Sequence, residues 1–201
     1  MREKKAREVR RKEILNAAMR CYSKKGYHAT TMDDITRESG LTKGGIYWHF
    51  KSKWEIFIEM LREHKKVHLA LWDRIDRIGV KRDALIEGGL LFLKEYIDNE
   101  WLFNVNKELA IEATRNVEVR EELVSMYDEI KGNIRRQFLK GYEQGLTREL
   151  DLESTAIILV AVVEGILNHY WQSGKTLDYE RIWRSFCDSF FKGVLKPSAQ
   201  E

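Results

Sequence analysis

A single proline, Pro197, stands in a chain of 201 residues, and it lies close to the C-terminus. Proline fixes φ and removes a backbone donor, so folds made of many strands and tight turns use it repeatedly as punctuation. Its near absence predicts long, uninterrupted helices and an all-α architecture. The hydrophobic fraction of 43% supplies a globular core, and the charged fraction of 33% suits a helix-rich surface.

Apolar spacing places the helices. Ile14, Leu15, Ala17, Ala18, Cys21 and Tyr22 recur at helical intervals within residues 3–25. Lys24-Lys25-Gly26 supplies the stop, with cations beside the C-terminal dipole and a glycine able to take a left-handed cap. Thr30 and Thr31 offer hydroxyl caps, and Asp34 sits at capping-box distance from Thr31. The short helix that follows turns Met32, Ile35 and Thr36 inward and ends at Ser39-Gly40. Thr42 caps a second short helix over 43–50, with Ile46 and Phe50 on one face. Ser52 caps a long helix over 53–77, closed by Gly79, whose stripe is Phe57, Met60, Leu61, His64, Val67, Leu71 and Ile75. Further helices are expected at 82–98, 100–114, 117–143, 152–173 and 179–195, about nine in all. Asn99, Asn116, Gly145, Asp151 and Gly174 mark their joints, and residues 196–201 are expected to fray.

This pattern divides the chain into an N-terminal three-helix domain, residues 1–52, and a larger helical domain, residues 53–201. Charge divides it in nearly the same place. Residues 1–53 hold 14 basic and 6 acidic side chains, whereas the rest hold 21 and 26. A basic module on a mildly acidic body points to a polyanion as partner of the first domain. The longest clean apolar run, Ala156 to Val163, falls short of the roughly 20 residues that cross a bilayer. The charged N-terminus leads into no apolar signal core, and Cys21 and Cys187 have neither metal-type spacing nor a disulfide framework. A cytoplasmic protein without a membrane partner is expected.

Two short capped helices joined through Gly40-Leu41-Thr42 form a helix-turn-helix. In such a unit the second helix enters the major groove of double-stranded DNA, with its first residues near base edges. Because Ile46 and Phe50 point inward, Lys43, Gly44, Tyr47 and Trp48 must project outward. Gly44 and Gly45 each cost about 1 kcal/mol of helix propensity relative to alanine, a cost offset by close approach of backbone to DNA. Lys43 reaches a base or a phosphate, and Tyr47 can donate to a phosphate oxygen. Thr31, Thr42 and Lys53 sit at helix N-termini, where free amides attract phosphate.

The run Gly40-Leu41-Thr42-Lys43-Gly44-Gly45-Ile46-Tyr47-Trp48-His49-Phe50-Lys51-Ser52-Lys53 closely resembles the DNA-binding signature of the tetracycline-repressor (TetR) family. Gly26-Tyr27 and Thr30-Thr31-Met32-Asp33-Asp34-Ile35 match it as well, and the resemblance covers roughly residues 10–61. It departs at Thr36 and Ser39, where small alanines are usual, and at Trp54, where an acidic residue is common. The resemblance implies that Thr31, Thr42, Lys43, Gly44, Tyr47, Trp48, His49 and Lys53 touch DNA. It also implies a ligand-responsive repressor, released from a pseudo-palindromic operator by a small hydrophobic effector.

In that family the middle helices enclose an apolar effector pocket. The aromatic and polar side chains here that would line one are Trp72, Phe92, Tyr96, Trp101, Asn104, Glu108, Tyr127 and Phe138. The last two helices are apolar over more than one stripe, which predicts burial on several faces. Ile158, Val162, Ile166, Tyr170, Trp183, Phe186 and Phe190 are accordingly expected at a homodimer interface, where the family builds a four-helix bundle. No phosphate loop, nucleophile elbow or Cys–His pair is present, so no catalysis and no cofactor are expected. Two other readings are a helical-bundle metal protein or enzyme built on His64 and His68, which lie one turn apart with Glu63 beside them, and a DNA-binding protein without an effector.

Overall fold

The computed structural model describes residues 2–78 and 82–194. Gly79, Leu195 and the C-terminal tail, for which a helix stop and fraying were expected, lie outside them. The described residues form nine helices and no strand: α1 Arg2–Ala29, α2 Met32–Ser39, α3 Lys43–His49, α4 Lys53–Ile78, α5 Arg82–Asp98, α6 Glu100–Ala113, α7 Val117–Glu143, α8 Leu152–Gln172 and α9 Tyr179–Val194. Polar residues at the expected joints act as caps. The Asn116 side chain accepts from the amides of Glu118 (3.0 Å) and Val119 (3.3 Å), and Asp151 accepts from those of Glu153 and Ser154 (both 3.1 Å).

One departure occurs in α1. Helix continues for one turn beyond Gly26, and Gly26 itself has φ 79° and ψ 161°. That is a positive φ, but with an extended ψ rather than the left-handed helical value expected of a cap. The backbone there is open essentially to glycine alone, and it redirects the chain toward α2.

The helices gather into two compact units. The first comprises Met1–Lys66 with Glu100–Leu123. Its core joins Ile14, Ala18, Tyr22, Ile35, Ile46, Phe50, Phe57 and Met60 to Val105 and Leu109 of α6 and Val119 of α7. Packing of α6 on α1 thus brings later helices into the N-terminal unit, whereas a division by sequence at residue 52 leaves them with the body.

The second unit comprises Val67–Asn99 with Val124–Glu201. Within it α5, α8 and α9 pack on one another in pairs. Leu71, Leu90, Leu93, Phe138, Ala156, Leu167, Cys187 and Phe191 are among its buried side chains. Trp183 of α9 is buried against Gly89 of α5, and its indole N–H donates to the Ile86 carbonyl at 2.9 Å.

Candidate functional site

In the first unit, α2 and α3 are set by caps read directly from the sequence. Thr31 and Asp34 form a reciprocal capping box: the Asp34 amide donates to Thr31 Oγ1 (3.1 Å), and the Thr31 amide donates to Asp34 Oδ2 (2.8 Å). Lys25, with its ammonium 2.5 Å away, and Thr31 hold the Asp34 carboxyl well below the usual carboxylate range. Gly40 ends α2 in the left-handed conformation (φ 68°, ψ 10°), and Thr42 Oγ1 then accepts from the Gly45 amide at 3.1 Å to start α3. Glycine carries that φ without strain, which keeps the turn between the helices tight.

The orientation of α3 follows from its apolar anchors. Ile46 and Phe50 are wholly buried, while Trp48 is 63% exposed and Thr42, Lys43, Gly44 and Tyr47 also face solvent. A Cβ added to Gly44 would meet no atom within 4 Å. Thus α3 presents a convex outer surface with a bare backbone patch at its first turn. Lys43 stands on that surface 2.7 Å from Asp33, which raises its pKa. Thr31 is exposed at the start of α2.

Two of the expected DNA-contacting side chains, Lys53 and His49, are turned into the unit's own packing. The Lys53 ammonium donates to the carbonyls of Tyr27 (2.8 Å), His28 (3.2 Å) and Thr30 (2.8 Å), and it lies 4.3 Å from the Tyr27 ring centre. Burial lowers its pKa. It therefore closes the end of α1 and fixes the entry to α2. His49 is buried, and burial followed by the charges of Arg11, Arg7 and Arg10 lowers its pKa, which favours a neutral ring. It contacts Trp48 edge-on, while the Arg11 guanidinium donates to the His49 carbonyl at 3.2 Å and lies 4.4 Å from the Phe50 ring centre. Arg7 sits 5.2 Å from the Trp48 ring centre. These arginines extend the basic surface beside α3. Sequence patterning missed them because only the fold brings the start of α1 next to residues 48–50.

On the other side of the first unit, α6 grips the end of α1. The Glu108 carboxylate accepts from the Tyr27 amide at 3.1 Å, and buried Glu112 lies 2.8 Å from His28. Burial raises the pKa of Glu108. Trp101 packs against this unit's core, and Asn104, half-buried, lies on the same helix.

The other residues expected around an effector belong to the second unit. His68 and Tyr96 share a hydrogen bond between Nε2 and the hydroxyl, and burial pushes His68 down to about 4. Phe92 stacks on Tyr96 with ring centres 6.1 Å apart, and Trp72 is 6.0 Å from Phe92. The Tyr127 hydroxyl donates to Glu164, a carboxylate the sequence did not single out. Burial, then Tyr127 and Glu164, push the Tyr96 hydroxyl well above its ordinary range. Phe138 is fully buried and packs edge-on to Phe190. No group of three or more His, Cys, Asp or Glu side chains with metal-holding geometry occurs among the described residues.

Of the side chains expected at a dimer interface, Ile158 is 48% exposed, and Val162, Tyr170, Phe186 and Phe190 are half-buried. Ile166 and Trp183 are buried in the chain's own core. Exposed Ile157 adds to the apolar face.

Residues 14–60 match the family profile described as bacterial regulatory proteins, tetR family. An uncharacterized HTH-type transcriptional regulator from Bacillus subtilis strain 168, YfiR, is 32% identical over 152 residues, spanning 71% of this chain and 70% of its own. The HTH-type transcriptional regulator TtgR of Pseudomonas putida is 28% identical over 84% of this chain and 83% of its own. Among solved structures, a transcriptional regulator from Saccharomonospora viridis in complex with choline superposes with a TM-score of 0.77 at 26% identity, covering 92% and 97% of the two chains.

Proposed function

The chain belongs to the tetR family of bacterial regulatory proteins, and on that premise we propose that it is a homodimeric repressor that leaves a pseudo-palindromic operator when a small molecule binds its second unit. It is a ligand-responsive, DNA-binding transcriptional regulator. Neither the metal-protein reading nor the effector-free reading is favoured. Its place of action is the cytoplasm, where the chromosome is.

The observation that carries the reading is the outer surface of α3. Lys43, Tyr47 and Trp48 project from a helix whose first turn has open space at Gly44, so backbone and side chains can enter a major groove together. Thr42 Oγ1 accepts from Gly45 and keeps its hydroxyl proton for a phosphate, while exposed Thr31, whose amide and hydroxyl bond Asp34, stands at the start of α2. Lys53 and His49 act one step back: they hold α1, α2 and α3 in register, and the carbonyl bonds of Lys53 supply that hold.

Two half-sites about 34–36 Å apart need two copies of α3, and α8 and α9 offer a surface to join them. Only 22% of the most apolar stretch of α8 is buried within the chain, although by length and composition that helix is apolar enough to cross a membrane. A second copy of the same face, centred on Ile157, Ile158, Val162 and Tyr170 with Phe186 and Phe190 of α9, covers it. The ion pairs of Glu153 with Lys131 and Arg135 suit a protein neighbour rather than lipid.

The effector site in this reading is made by Trp72, Phe92, Tyr96 and Tyr127, and the Saccharomonospora viridis protein, which holds a small organic molecule, supports such a site. Because α4 runs unbroken from Lys53 to Ile78, a ligand that displaces it at His68 or Trp72 also moves the Lys53 end. The ligand must favour the DNA-incompetent state to shift the equilibrium. Gel-shift titration of a duplex from the chain's own promoter region tests the DNA interface. Lys43→Ala and Tyr47→Ala are expected to weaken binding while leaving the unfolding temperature near wild type; unchanged affinity in both overturns the assignment.

A further inference from the structure

Glu164 stands out in the second unit. It is half-buried on α8, its only hydrogen-bond partner among the described residues is the Tyr127 hydroxyl, and it has no cationic partner among them. Four cations of the same unit pair with other carboxylates. Lys131 lies 2.8 Å from Asp128 and also meets Glu153, Arg135 pairs with Glu153, Lys94 lies 3.0 Å from Asp98, and Arg74 faces Glu95 at 3.9 Å. Around Glu164 stand aromatic rings, and the histidine of this cluster, His68, bonds Tyr96 and is held neutral by burial. Tyr127 binds it, Tyr96 feels its charge, Phe92 stacks on Tyr96, and Trp72 adjoins Phe92. Trp72, Phe92 and Tyr127 are half-buried and so reachable by a ligand. The Trp72 indole N–H is buried with no acceptor among the described residues, a second unmet group beside the same rings.

We infer that Glu164 with the rings of Trp72, Phe92, Tyr96 and Tyr127 forms a receptor for an organic ammonium cation that also carries an acceptor oxygen. This deepens the effector reading and rests on it. A neutral apolar ligand lying on these rings would strip water from a carboxylate that holds a single phenol donor, which is unfavourable. A positive ligand removes that penalty, and the negative faces of tryptophan, tyrosine and phenylalanine attract it further. The acceptor oxygen meets the Trp72 N–H.

The experiment compares (2-phenoxyethyl)trimethylammonium with its uncharged carbon isostere, 3,3-dimethylbutyl phenyl ether, by tryptophan fluorescence on the full chain. Each titration is repeated in the presence of promoter duplex followed by anisotropy. The cation is expected to bind more tightly than the ether, and Glu164→Gln to reduce its affinity by about tenfold or more while leaving the ether's affinity within about twofold. Glu164→Asp, which keeps the charge, is expected to retain the preference, and this variant separates loss of charge from loss of fold. The inference is overturned if the ether binds as well as the cation, if Glu164→Gln leaves the cation's affinity unchanged, or if neither compound binds. Release of DNA by the ether alone leaves the effector reading standing and removes the cation. Binding of the cation with the expected Glu164 dependence, but without any change in DNA affinity, keeps the receptor and removes the release mechanism.

Discussion

Gly89→Ala tests the packing of α5 against α9. Glycine in a helix interior ordinarily gives up about 1 kcal/mol against alanine, so the substitution should stabilise α5 if nothing stood beside it. Here Trp183 stands beside it. A Cβ on Gly89 would lie 2.8 Å from Trp183 Cη2 and closer still to Cε2 and Cζ2, inside any real carbon–carbon contact. The ring is 4% exposed and anchored by its 2.9 Å bond to the Ile86 carbonyl, so it has little freedom to retreat. Overpacking of this kind costs about 1–3 kcal/mol, and turning the indole away would also leave a buried donor unmet at about 1–3 kcal/mol. After the propensity gain the net loss is about 3 kcal/mol, or a fall in unfolding temperature of about 6–12 °C for a chain of this size. Thermal unfolding followed by circular dichroism, at one fixed protein concentration, measures it. Gly132→Ala on α7 is the matched control, because a Cβ there meets only the arginine tips of Arg136 and Arg135 at 3.6 and 3.8 Å. It is expected to be neutral or stabilising. Trp183→Phe removes the benzo portion of the indole, and in that background Gly89→Ala should lose most of its cost. A Gly89→Ala protein as stable as wild type would refute the close contact.

Other outcomes follow from the same geometry. Lys53→Met keeps the length of the side chain and removes its three carbonyl bonds, so it should lower DNA affinity by loosening the α1–α2 junction; hydrogen exchange at residues 27–31 should rise with it. Equal exchange in the variant would show that Lys53 does not hold that junction. His68 is held neutral, with its pKa pushed down to about 4 from an ordinary 6.5. The unfolded chain therefore binds a proton between these values while the folded chain does not. Its contribution is fully present above about pH 6.5 and is lost as the pH falls toward 4, roughly 3 kcal/mol in all. Urea unfolding between pH 7 and pH 4.5 should show a steeper loss for wild type than for His68→Asn; parallel curves would refute the buried neutral histidine.

The parts of the fold that were legible in the sequence are those fixed by local chemistry. Hydroxyl and carboxylate caps at Thr31, Thr42 and Asp151, the glycine stop at Gly40 and the buried pair Ile46 and Phe50 each act within a turn or two of their own position. The order of the helices among the described residues and most of their bounds follow from such signals, whereas the turn of α1 beyond Gly26 does not. What the sequence concealed depends on distant partners. Glu108 reads as a polar pocket residue by its place on α6, yet it binds the amide of Tyr27, 81 residues earlier. Lys53 reads as a phosphate ligand because it opens a helix, and only the fold brings three carbonyls to its ammonium. Trp183 lies in a broad apolar stripe of α9, and periodicity cannot say which aromatic of such a stripe faces inward; the missing Cβ of Gly89 decides it. Glu164 carried no sequence signal, because its meaning lies in the Tyr127 hydroxyl that the fold brings to it from 37 residues away.

The central claim is that α3 enters DNA with its bare first turn. Gly44→Gln tests it most directly, because the added side chain has open space on the protein and so leaves the fold alone, while it fills the surface that must meet the groove. Fluorescence anisotropy of the promoter duplex at 50 and 200 mM salt is the measurement. Wild type is expected to bind tightly and to lose on the order of 10³–10⁵-fold in affinity across that range, as roughly 6–10 phosphate contacts require. Gly44→Gln is expected to keep the wild-type unfolding temperature and lose specific binding. A Gly44→Gln protein that holds the duplex as tightly as wild type would contradict the account.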